Sequence, residues 1–170
     1  MIKNEGPEPW LRGTLTDVPA VHRAVLHALE LATEDIQRWC GGLNDAQLNA
    51  RPASVAPIAF HMRHIARSVD RLLTYAEGKQ LNSEQLGVLK SELDAGATSA
   101  ETFSEFAQAM DQAAARIRAL VAVPLDVPRK VGRKELPTTA GGLLVHVADH
   151  TQRHVGQAIT TVKIVVAERS

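Results

Sequence analysis

The chain has 170 residues, 45% of them hydrophobic, enough for one well-buried core and too few for two comfortable domains. Nineteen basic residues cancel nineteen acidic ones, so there is no basic patch for nucleic-acid phosphates and no polybasic segment for anionic lipid. Cys40 is the only cysteine, which excludes a disulfide framework and a thiolate zinc site, and any metal must be held by histidine and oxygen ligands.

In chain order, Met1 to Pro7 lacks the apolar core of a signal peptide, and residues 1–15 read as an N-terminal extension of a single domain spanning 1–170. The first helix is expected from Val18 to Trp39, with Val21, Val25, Leu26, Leu29, Ala32 and Ile36 at three- and four-residue spacing. Gly41-Gly42 closes it. Asn44-Asp45 opens a short helical turn through Leu48, and Arg51-Pro52 breaks the chain. The second long helix is expected from Ser54, with Pro57 in its first turn, through Ile58, Ile65, Val69, Leu72 and Leu73 to Ala76; Gly78 ends it.

Asn82-Ser83-Glu84 predicts a brief helix to Leu89, and Glu92 to Ala97 a loop. Thr98 or Ser99 caps the third long helix, whose expected buried face is Phe103, Phe106, Ala107, Met110, Ala114, Ile117 and Leu120. The connection from Ala122 to Pro137 is punctuated by Pro124, Pro128 and Gly132, with a short extended piece at Leu125 to Val131. Thr138 or Thr139 then caps a last helix that runs nearly to Glu168. Apolar runs all break off short of the roughly 18 residues of a membrane span. Four long amphipathic helices with little strand signal predict an all-α four-helix bundle, with two long connections that permit crossovers. The expected setting is soluble and cytoplasmic.

The last helix contains His146, His150 and His154. A four-residue step advances a helix by about 40°, so the three rings share one stripe, which Gln157 and Thr161 continue. His150 and His154 lie nearer the apolar face than His146. They are the better candidates for grasping a divalent transition metal, with a third ligand supplied by another helix. The second helix offers His61 and His64 on one side, and spacing does not choose between them. His22 and His27, five residues apart, point in different directions and read as surface or boundary residues. Asp70 and Arg71 suggest an ion pair to another helix, Asp149 a solvated or interhelical role, and Trp10, Trp39 and Tyr75 packing. No His-Glu-x-x-His segment is present, so a zincin protease is excluded.

The segments Pro57-Ile58-Ala59-Phe60-His61-Met62-Arg63-His64-Ile65-Ala66 and His146-Val147-Ala148-Asp149-His150-Thr151-Gln152-Arg153-His154-Val155-Gly156-Gln157 resemble the two signature helices of the DinB/YfiT-like superfamily. The second has Val155 where that family usually carries arginine. The resemblance implies a four-helix bundle binding one divalent metal through His64, His150 and His154, with His61 the competing choice for the first. It also implies a homodimer. Zinc, nickel, iron, cobalt and manganese all suit three imidazoles. Within the superfamily are thiol-dependent S-transferases and a thiol-dependent isomerase, so the expected function is a metal-dependent S-transferase acting on a small-molecule thiol and an electrophilic substrate. The alternatives are metal-assisted hydrolysis and a non-catalytic metal-binding or structural bundle.

Overall fold

The computed structural model describes residues 6–88 and 96–167. Among them are six α-helices and one two-stranded sheet. The helices are α1 (Ala20–Cys40), α2 (Asp45–Leu48), α3 (Ile58–Ala76), α4 (Ser83–Val88), α5 (Ser99–Ala119) and α6 (Ala140–Ala167). Strands β1 (Pro128–Val131) and β2 (Leu136–Thr139) form an antiparallel hairpin between α5 and α6, with Pro128 opposite Thr139 and Val131 opposite Leu136.

The four long helices appear where the apolar spacing predicts them, with boundaries shifted by local chemistry. The helix expected from Ser54 begins at Ile58 instead. Ala56 precedes a proline and is steered away from helical geometry. Upstream, Ala53 and Ser54 take left-handed φ of +47° and +63° within a 3-10 turn that runs from Pro52. On α5 the capping box is present: the Thr98 hydroxyl accepts from the Glu101 amide, and the Glu101 carboxylate accepts from the Thr98 amide. The buried face of α5 is Thr102, Phe106, Met110, Ala113 and Ile117. Ala107, expected inside, is exposed, because the buried stripe lies to one side of it. Of the two threonines before α6, Thr139 caps, accepting from the Gly142 amide at 3.0 Å. The extended piece expected as far as Val131 acquires a partner strand from residues 136–139. Leu89, Glu92 to Ala95 and Glu168, within the sequence expectations, lie outside the described residues.

Both α1 and α3 pack against α6 and also against α5. One continuous core results, with Val25, Ile36, Met62, Ile65, Leu73, Phe106, Ile117, Leu144, Val147 and Val155 buried in it. The α3 and α6 helices run antiparallel, because His61 meets His154 while His64 meets His150. Two contacts at the hairpin fix this pairing. The Arg129 guanidinium donates to the Ala76 carbonyl at 2.7 Å, placing a cation at the C-terminal end of α3. At the start of α6, Gly141 donates to the Leu125 carbonyl at 2.7 Å, and a Cβ there would lie 2.9 Å from that oxygen. The glycine thus permits the hairpin to press against the first turn of α6.

A polar joint ties α3 to α4 and α5. Arg116 donates to Asp70, Glu77 and Thr74, while Gln85 donates to Asp70 and Thr74. The interhelical ion pair expected for Asp70 is therefore present. Arg71 donates to Ser68 within its own helix, and Asp149 pairs with Arg153 on α6.

His22 and His27, expected at the surface or its boundary, are both buried. The segment before α1 meets His27, where Thr14 bonds Nε2 at 3.1 Å, and Arg12 of that segment pairs with Glu30 and Glu34 on α1. Tyr75 is buried and Trp39 packs at the core edge beneath the Lys163 ammonium. Trp10, expected to pack, is 61% exposed, and its indole N–H donates to Glu8. No helix among the described residues is long and apolar enough to cross a membrane.

Candidate metal centre

Because α3 and α6 are antiparallel, a His-x-x-His step on one faces a four-residue step on the other. The rings of His61 and His64 meet those of His154 and His150 in two rungs. His64 Nε2 lies 3.2 Å from His150 Nε2, and His61 Nδ1 lies 3.1 Å from His154 Nδ1. Diagonal contacts close the cluster, with ring centres 4.4 Å apart for His64 and His154 and 4.6 Å for His150 and His154.

His64, His150 and His154 each offer one nitrogen, and these three atoms lie within 4.8 Å of one another. Two nitrogens held by one tetrahedral ion at about 2.0–2.1 Å would sit about 3.3 Å apart, close to the His64–His150 separation. Three partly buried imidazoles therefore suit a transition metal in both spacing and donor chemistry. His61 is more deeply buried, at 5% exposure, and is not one of the three mutually close histidines. His146 is exposed on the outer side of α6, its ring centre 5.6 Å from that of His150.

The rings are supported unequally. Phe60 stacks on His64 with ring centres 5.3 Å apart and planes 18° from parallel. The Ser68 hydroxyl approaches His64 Nε2 at 3.4 Å and accepts from Arg71 at 3.0 Å. His150 Nδ1 is buried with no hydrogen-bond partner among the described residues. Burial, together with the repulsive charge of neighbouring His154 and His64, pushes both His61 and His150 down to about 4. At neutral pH they are neutral, the state a metal requires.

Beyond Arg71 lies a cleft of about 840 Å³ between α3, α4 and α5, lined by polar groups that include Arg67, Asn82, Gln85, Ser104 and Gln108. No histidine lines it; Arg71 is the residue that connects it, through Ser68, to His64. Cys40 takes no part in this cluster. It is fully buried, and burial pushes its thiol up to about 12, leaving it un-ionised and inert.

Sequence reasoning did not single out Ser68 or Phe60, and it read Arg71 only as half of an ion pair, not as a residue near the histidines. Ser68 was within reach, since it follows His64 by four residues on the same helical stripe. Gln157, which continues the histidine stripe, is exposed.

The family model for the DinB superfamily matches residues 28–158. The chain belongs to the DinB superfamily. The matched region starts within α1 and includes all five histidines just described. A search of curated proteins found no match. In this DinB-superfamily chain, the three-histidine cluster is compatible with binding a metal ion.

Proposed function

We propose that the protein is a divalent-metal-dependent enzyme built on a DinB-type four-helix bundle, with His64, His150 and His154 as the metal ligands. Its reaction is transfer of a low-molecular-weight thiol to an electrophile. The observation that carries this reading is the convergence of three imidazoles from two antiparallel helices, with ligand nitrogens within 4.8 Å of one another. Three protein ligands are the number found in open catalytic sites, whereas structural sites are closed by a fourth.

A bound ion would lower the pKa of a thiol and stabilise its thiolate near neutral pH. The attacking sulfur forms the new bond to the acceptor, the leaving group departs with its electron pair, and the thiol proton passes to solvent. The thiol comes from outside the chain, since Cys40 is buried and un-ionised. The polar cleft beyond Arg71 offers room for a substrate, and Arg71 links that cleft to His64 through Ser68. Zinc, nickel, iron, cobalt and manganese are the candidate ions. A single domain over residues 1–170, a cytoplasmic setting and a homodimer complete the proposal; sedimentation of the purified protein reads the last.

Elemental analysis of purified protein and of single alanine variants tests the ligands. His64→Ala, His150→Ala and His154→Ala are each expected to lose stoichiometric metal, while His146→Ala retains it. Metal retained by all three would overturn the site. Purified protein is then assayed with a panel of low-molecular-weight thiols and electrophilic acceptors, before and after chelation. Metal-dependent thioether formation supports the reaction, and hydrolysis of an ester or amide panel in its place would replace it.

A further inference from the structure

His61 faces the cluster without belonging to its three mutually close ligands. Its Nδ1 lies 3.1 Å from His154 Nδ1, and it is only 5% exposed. The His64 and His150 nitrogens can share an ion at a similar spacing, but in the three-ligand site no ion lies between His61 and His154, so one of these two nitrogens carries a hydrogen. A neutral imidazole has one N–H and one lone pair, so the direction of this bond sets the tautomer of both rings.

We infer that His61 is a positioning residue: its Nδ1 accepts the hydrogen of His154 Nδ1, which holds His154 in the tautomer whose Nε2 is bare. The opposite direction leaves His154 with both nitrogens occupied, Nδ1 accepting from His61 and Nε2 carrying its own hydrogen. Only a donating His154 keeps a lone pair for an ion. Metal-bound histidines commonly donate their other N–H to a fixed acceptor, which orients the ring and raises its basicity. The acceptor here lies in the first turn of the opposing helix α3, a buried imidazole in place of the usual carboxylate or carbonyl. The contrast within the cluster is direct, since His150 Nδ1 has no such partner among the described residues. Ile58 and Met62, fully buried before and after His61, anchor the part of α3 from which it projects.

This inference rests on the metal reading above, and its test separates the two. Zn²⁺ affinity is measured by competition with a chromophoric chelator for the full-length wild type, His61→Leu and His61→Asn, with helical circular dichroism as the folding control. Asparagine places an oxygen acceptor at the branch position of Nδ1; leucine places none. His61→Leu is expected to bind Zn²⁺ about 10–100-fold more weakly, and His61→Asn to stay within roughly threefold of wild type. Two-bond ¹⁵N correlation spectra of the zinc-loaded wild type are expected to show His154 protonated at Nδ1 and metal-bound at Nε2.

Equal affinity of His61→Leu and wild type overturns the inference and leaves the three-ligand site standing. So does metal bound at His154 Nδ1. Abolition of binding by both substitutions, to the degree seen in His64→Ala, makes His61 a ligand and overturns it as well. A wild type that binds no Zn²⁺ overturns the inference and the metal reading together. Should His61→Leu lose its helicity, the asparagine variant and the wild-type spectra decide.

Discussion

The two histidines held down to about 4 make the metal-free protein sensitive to mild acid. An unfolded imidazole titrates near 6.5, whereas folded His61 and His150 resist protonation because of burial and the neighbouring rings. Between those values the unfolded chain binds more protons than the folded one. Stability from this source is fully present above about 6.5 and is lost as pH falls towards about 4. The melting temperature of metal-free protein is therefore expected to fall between about pH 7 and pH 4.5, and to fall less steeply in His61→Leu. Parallel slopes for the two proteins would show that the histidine cluster is not the source. The candidate ligands themselves were legible from residue spacing and family likeness, with His150 and His154 picked out by their position beside the apolar stripe. Spacing left His61 and His64 open, and only the family likeness favoured His64. Both lie on one side of α3, and what separates them is which ring of α6 each one meets.

Among the helices, those with clear capping chemistry matched their expected starts. Thr98 with Glu101 and Asn44 with Gln47 each complete a capping box. Thr98→Ala is expected to destabilise the protein by about 1 kcal/mol in urea unfolding, with the slope on urea unchanged. A change below about 0.3 kcal/mol would mean that packing alone defines the start of α5. The start of α3 was misjudged for a physical reason: Ser54 resembles a helix cap, yet the prolines at 52 and 57 divert the chain through two left-handed residues first. The hairpin was only half legible. Its first strand carries an extended signal, but pairing with residues 136–139 is a non-local contact that no single segment announces.

The whole molecule stands on the contacts of α6, the helix that packs against both α1 and α3 and carries two of the candidate ligands. Leu144 on its buried face is 1% exposed. Leu144→Ala is expected to cost about 2–5 kcal/mol, lowering the melting temperature by roughly 4–20 °C. A shift under about 2 °C would place α6 outside the cooperative core. The covering of His27 belongs to this level as well, since the segment before α1 folds back onto that helix through Thr14 and Arg12. Helical periodicity, caps and breakers are local properties, and they sufficed to assign an all-α family fold and a stripe of imidazoles on its last helix. Which rings face one another, which histidine supports another, and which nominal surface residues are buried depend on the antiparallel docking of α3 on α6 and on the chain that covers α1. Those contacts join residues some 90 positions apart in the chain, and neighbouring side chains carry no record of that distance.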